Sequence, residues 1–249
     1  MSLAAASSDA RIDLVYTWVD DEAPGFKDLQ RRYAAHRHDL NPNRTRDNLD
    51  LLKYSLRSAH RYAPWLGRVY LVTARPQRPR WLCDEHPDLT LVHHDEIIDA
   101  AHLPTFNSFS ILTHLHRLPG VSERFLYLAD DILFMNPTTR ADFEEPDGRI
   151  RVFLQRGWTP VVGQVEYERA GPWNMALAHA NALLDARYGE QRRHYANHVP
   201  FLIDKAFLAK MLEIWPDEVA RTRSSRFRAA ENLALPHVYP YALLGEGLG

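Results

Sequence analysis

The sequence has one cysteine, Cys83, in 249 residues. A lone thiol excludes an intramolecular disulfide and a cysteine-based zinc site, and it fits a reducing compartment. Charge of one sign is missing as well: 30 Lys and Arg stand against 32 Asp and Glu, a formal net charge of −2. That balance gives no electrostatic footprint for nucleic acid, and no basic run suggests a membrane surface. No stretch approaches the ~18 uninterrupted apolar residues of a membrane span. The opening MSLAAASSDAR lacks the basic and apolar regions of a signal peptide. Together these absences lead us to expect a cytoplasmic protein with no transmembrane segment and no nucleic-acid partner.

What is present fits one domain with a substantial core. Six Trp and eleven Tyr suit stacking on bases or sugars and suit a core equally well. The most informative stretch is FLYLADDILF, residues 125 to 134. Phe125 to Ala129 read as a strand buried on both faces. Asp130 and Asp131 then interrupt it before Ile132, Leu133 and Phe134 resume the apolar run. Burying an unpartnered carboxylate costs several kcal/mol, and open α/β sheets place ligand chemistry at the carboxyl ends of their strands. A hard divalent cation against phosphate oxygens would satisfy both charges. A charged turn between two strands is the plain alternative.

Other elements follow from periodicity and punctuation. IDLVYTWV (12–19), RVYLVT (68–73) and 89–92 read as buried strands. Asp20 and Asp21 close the first, where they could touch a ribose, hold a metal or form a solvated turn. Residues 26–38 read as a helix. Asn48 is placed to cap another, with Leu49, Leu52, Leu56 and Ala59 on one side. His93-His94-Asp95 invites a zinc reading, but adjacent residues on an extended chain point to opposite faces. Residues 103–118 read as a Pro-bearing loop entering a helix. Asn107 and Ser108 occupy its cap, a place where free N–H groups receive phosphate or are simply capped. RVFLQ and VVGQV are expected as strands. Pro172 to Tyr188, followed by Gly189, is expected as a helix. Asp204 and Pro216 mark two further starts, and a last apolar helix runs to Leu244. The expectation is an α/β fold with a mostly parallel central sheet flanked by helices, GT-A/Rossmann-like, with a small, mainly helical C-terminal portion. Residues 1–11 are expected as a disordered lead, 12–244 as a single domain and 245–249 as a mobile tail.

Several segments together resemble the Stealth family of sugar-1-phosphate transferases, which includes bacterial capsule polymerases. IDLVYTWVDD is similar to its first conserved region. RTRDNLDLLKYSLRSAHRYAPWLGRVYLVT, LVHHDEI, LPTFNS and VSERFLYLADDILF are similar to its second, and HVPFLIDK through TRSSRFRAAEN to its third. The resemblance implies transfer of a sugar-1-phosphate from a nucleotide-diphosphate sugar to a carbohydrate hydroxyl, releasing nucleoside monophosphate. It implies Mg²⁺ or Mn²⁺ on Asp130 and Asp131, His198 as the third-region histidine, and Arg228 as the arginine of the FR motif. Catalysis is thus expected of Asp131, His198 and Arg228. Candidate substrate-binding residues are Tyr16, Trp18, Asp20 and Arg46, with Asn48, Thr73, Asn107 and Ser108. On this reading 12–136 holds nucleotide sugar and metal, and 150–244 holds acceptor and phosphate.

Phosphoryl transfer needs charge neutralisation and a base for the attacking hydroxyl. A guanidinium fork and an imidazole supply both. The chain departs from the family pattern at four positions. Leu112, Ala129, Phe201 and Asn232 stand where Glu, Asn, His and Asp are usual. A GT-A-type glycosyltransferase releasing nucleoside diphosphate would use the acidic pair in the same way, and a non-catalytic carbohydrate-binding member is the third possibility.

Overall fold

The computed structural model describes residues 10–40, 49–83, 85–165 and 167–249. Four parallel strands form its centre: β1 (Ile12–Thr17), β2 (Val69–Thr73), β3 (Leu89–His93) and β4 (Arg124–Ala129). An antiparallel edge strand, β7 (Phe201–Asp204), pairs with β4, giving the order β3-β2-β1-β4-β7. β1 and β4 are buried along five of six residues each. Helices cover both faces of such a sheet, which is why these strands read as continuous apolar runs rather than alternating ones. One polar residue inside β1, Asp13, is fully buried. It accepts hydrogen bonds from the backbone N–H groups of Arg68 and Ser122 and pairs with Arg11.

Helices α1 (Phe26–Tyr33) and α2 (Leu51–Tyr62) connect β1 to β2. α1 stops short of the expected residue 38, and a 3-10 turn occupies Arg37–Leu40. The expected cap Asn48 lies outside the described residues; Asp50 precedes α2, in the left-handed region at φ 53°. Leu49, outside the helix, is exposed, while Leu52, Ser55 and Ala59 face the core. After the short α3 (His94–Ile97), the loop from 103 enters a helix at the expected cap, but that helix breaks into α4 (Ser108–Leu112) and a 3-10 turn at Leu115–Arg117.

The second half adds β5 (Leu154–Trp158) and β6 (His194–Ala196), an antiparallel two-stranded ribbon. VVGQV is not a strand. Gly163 adopts φ 86° in a turn closed by Gln164 N–H to the Val161 carbonyl. α5 (Tyr167–Tyr188) carries a break at Gly171 (φ 67°, ψ 170°), so the continuous helix runs from Pro172, as the proline predicts, to Gly189 at φ 90°. α6 (Lys205–Leu212) is capped by Asp204, which accepts from Phe207 N–H. α7 (Pro216–Ser224) has proline in its first turn, and α8 (Leu235–Gly245) closes the core with Leu235, Val238 and Tyr239.

A buried ion cluster ties β4 to these later elements. Arg124 Nε meets Asp204 Oδ2 at 3.1 Å and its Nη1 meets Glu144. The closing residues, expected to be mobile, are docked: Leu248 is buried, and Ile150 N–H donates to its carbonyl at 2.8 Å. No helix among the described residues is long and apolar enough to cross a membrane.

Candidate active site

In a doubly wound sheet the ligand crevice opens where the strand order reverses, outside the carboxyl ends of the strands. Here that point lies between β1 and β4, whose last residues Thr17 and Ala129 are in register. A cavity of about 580 Å³ opens there, and its walls include Trp18, Asp130, Asp131, His198 and Arg228. These residues come from the ends of β1 and β4, the turn before β7, and the loop after α7.

The β4–β7 register explains how distant residues meet. Tyr127 pairs with Phe201 in an antiparallel ladder. Continuing that register past the strand ends sets Asp131 opposite Asn197, the neighbour of His198. His198 Nε2 lies 2.9 Å from Asp131 Oδ1. A carboxylate only accepts, so Nε2 carries the proton and the neutral ring keeps its lone pair on Nδ1. The hydrogen bond from His198 holds the Asp131 carboxyl below the usual carboxylate range. The same bond, with the charges of Asp131 and Asp130, holds the His198 imidazole above its usual value. The segment after the acidic pair is fixed from α2: Ser55 Oγ donates to the Ile132 carbonyl, and Phe134 N–H donates to Ser58 Oγ at 2.9 Å.

Arg228 reaches the cavity from the other side. Its Nε and Nη2 donate to Ser108 Oγ at 3.2 and 2.7 Å. Its guanidinium carbon lies 5.2 Å from the ring centroids of both Phe109 and Trp173. The fork is therefore aimed by one hydroxyl and two aromatic faces, an arrangement lysine could not copy.

The remaining expected residues divide. Trp18 and Ser108 line the cavity. Tyr16 is buried in the core, its hydroxyl 2.7 Å from Ser55 Oγ. Thr73 is buried beneath the strand ends. Asp20 Oδ1 accepts from Glu22 N–H, and the Asp20 backbone is clasped by Gln77, which makes the end of β1 a structured turn. Asn107 is fully buried. Its Oδ1 caps Phe109 N–H, and its Nδ2 donates to Asn232 Oδ1 and the Ser225 carbonyl, so the cap serves the fold. Arg46 and Asn48 lie outside the described residues. Asn232 clasps a loop rather than facing the cavity, accepting also from Ala229 N–H. Leu112, Ala129 and Phe201 do line the cavity.

Sequence reasoning missed Trp173 and the wall formed by Gln155, Tyr195 and Asn197. Nothing local marks Trp173, because its role depends on Arg228 approaching across the fold. The polar run Tyr195-Ala196-Asn197 immediately before His198 was the readable signal for the wall.

An open, mainly parallel α/β sheet with a cavity carrying Asp130, Asp131, His198 and Arg228 at its strand-order reversal places the chain in the doubly wound class. Residues 44–152 match the family model for Stealth protein CR2, conserved region 2, and residues 197–241 match Stealth protein CR3, conserved region 3. The chain belongs to the Stealth family. The two matched regions between them carry Asp130, Asp131, His198 and Arg228. Among similar proteins are an exopolysaccharide phosphotransferase of Streptomyces coelicolor, 37% identical over 92% of this chain and 40% of its own length. One from Nocardia farcinica is 36% identical over 94% of this chain and 46% of its own length. The exopolysaccharide phosphotransferase CpsY of Mycobacterium tuberculosis is 34% identical over 95% of this chain and 44% of its own length. The chain thus spans less than half the length of these relatives.

Proposed function

We propose that the cavity transfers a sugar-1-phosphate from a nucleotide-diphosphate sugar to a carbohydrate hydroxyl. The products are a phosphodiester and a nucleoside monophosphate. One observation carries the reading: an imidazole hydrogen-bonded to a carboxylate shares a cavity with an aromatic-clamped guanidinium. The names of the relatives, exopolysaccharide phosphotransferases, support it.

His198 takes the acceptor hydroxyl proton on Nδ1, which turns a weak nucleophile into an alkoxide-like one as it attacks phosphorus. Asp131 fixes the ring orientation and stabilises the imidazolium that forms. Arg228 meets the phosphate oxygens with planar N–H donors, where charge spreads in the transition state. The wall of Gln155, Tyr195 and Asn197, beside His198, faces the acceptor sugar.

The donor chemistry at the end of β4 fits Mg²⁺ or Mn²⁺. Asp130 and Asp131 supply hard carboxylate oxygens, and such cations are commonly bound by one or two carboxylates plus substrate phosphates and water. Among the described residues no group of three metal-ligating side chains occurs, which suits an ion completed by substrate rather than caged by protein. When bound, the ion would neutralise pyrophosphate charge.

Incubation with labelled nucleotide sugars, Mn²⁺ and a glycan acceptor tests the reading. Release of nucleoside monophosphate with a new phosphodiester is expected. Release of nucleoside diphosphate would instead assign a glycosyltransferase, and no turnover across the four common bases would remove the enzyme reading.

A further inference from the structure

His94 is the first residue of α3, directly after β3, and lines the same cavity as the Asp131–His198 pair. Its side chain is only 7% exposed, yet among the described residues neither ring nitrogen has a hydrogen-bond partner. Its neighbours in sequence are engaged elsewhere. Asp95 pairs with Arg75 at 3.0 Å, and Glu96 accepts from His93 N–H at 2.8 Å. The ring's polar atoms are not sealed off from the cavity that His94 lines, so a ligand there can reach them.

The sheet order sets the distance. β3 and β4 are separated by β2 and β1, and strands lie about 4.8 Å apart. His94 therefore sits roughly 14 Å across the strand ends from Asp130, three strand spacings away. Trp18 and Ala74, which follow β1 and β2, line the cavity between them, and Val19, Phe106 and Leu112 add apolar surface. Among the described lining residues the only guanidinium is Arg228, which is fixed beside Ser108 at the phosphate end. Burial also depresses the His94 pKa to about 4, so the ring is neutral in ordinary buffers. Asp39 is the one carboxylate among the described lining residues besides the acidic pair; with aromatic surface and one neutral donor–acceptor ring, such walls suit a flat heterocycle with polar edge atoms, and they do not suit a phosphate.

We propose that this end of the cavity is the base subsite of the nucleotide donor, with His94 hydrogen-bonding the edge of the nucleobase. The inference rests on the donor reading above and adds the donor's direction: base over the ends of β1–β3, pyrophosphate over the end of β4. It also makes position 94 a determinant of base preference.

Titration calorimetry with UMP, CMP, GMP, AMP and ribose 5-phosphate tests it on the full chain. Wild type is expected to favour one nucleotide over the others. His94→Phe should weaken that nucleotide about 3- to 10-fold, the scale of one hydrogen bond. It should compress the spread among bases and leave ribose 5-phosphate affinity unchanged. His94→Gln, which keeps a polar edge, should retain part of the preference. Should Phe not fold, as judged by thermal melting, His94→Leu takes its place. Unchanged nucleotide affinity and base spread in these variants would overturn the inference alone. Parallel loss of ribose 5-phosphate would do so too, since it would mean the site had been deformed. If wild type binds none of the four nucleotides, the donor reading falls first and this one with it.

Discussion

Replacing Asp131 with asparagine separates what the acid–imidazole pair does for stability from what it does for chemistry. The two side chains are 52% and 66% exposed. A pair so open to water contributes about 0.2–1 kcal/mol. For a chain of this size the melting temperature should therefore move by no more than ~4 °C. The stabilisation is present only while both groups are charged. It is lost as pH falls through the depressed Asp131 pKa and again as pH rises through the raised His198 pKa. Turnover should respond on another scale, because a positioned general base supplies about 10²–10⁴ in rate. Asp131→Asn and His198→Ala should each lose a large part of that factor. Their double variant should be no slower than the slower single one, since the two residues act as a unit. The pH profile adds an independent readout. As the proposed base, His198 would act when neutral, and Asp131 raises its pKa, so the acid limb of kcat/KM in Asp131→Asn should move to lower pH. Additive losses in the cycle, or an acid limb that stays in place, would refute the pairing of base and carboxylate.

Trp173→Ala should cut turnover about 3- to 30-fold by freeing Arg228 from one aromatic face, with Trp173→Phe close to wild type and the melting temperature little changed. Arg124→Met leaves Asp204 a largely buried carboxylate without its cation, while Glu144 keeps Arg140, and chemical denaturation should show a loss of about 3 kcal/mol. His94, His114 and His237 are all held neutral by burial, with pKa values lowered to about 4, 3 and 3. Because the unfolded chain binds those protons near pH 6.5 and the folded one does not, stability should be full above that pH and fall below it. The ceiling is about 1.4 kcal/mol per pH unit for each residue. A urea midpoint that stays flat from pH 6.5 to 5 would contradict that.

Much of the fold was legible because its strands are buried on both faces. FLYLA and IDLVYT carry no competing periodicity, and the acidic pair stands out against them. Boundaries proved less legible where backbone geometry overrides composition. VVGQV has strand-like residues, but Gly163 turns the chain; the helix entered at Asn107 and Ser108 was expected to run on toward Leu118, but the fold keeps only Ser108–Leu112 as α-helix. At the site, Asp130 and Asp131 stood out from the residues themselves, whereas His198 and Arg228 were singled out by the resemblance to the Stealth family. Their convergence was not readable, since it depends on β7, a strand hidden in FLIDK before a helix. Tyr16 and Asn107 show the opposite error. Polar groups beside a site resemble contacts, yet one props α2 and the other ties α4 to the loop holding Arg228.

The antiparallel edge strand has a consequence for how this site can change. Base and carboxylate are brought together by a short local ladder, while everything between residues 132 and 197 leaves that ladder and returns to it. This excursion carries Gln155, Trp173 and Tyr195, which on the proposed function shape the side from which an acceptor would arrive. Lengthening, shortening or reshaping it would alter which glycan is admitted while the proton-transfer geometry, anchored outside it, stays put. Chimeras exchanging only this excursion between relatives should therefore swap acceptor choice without rebuilding the chemistry.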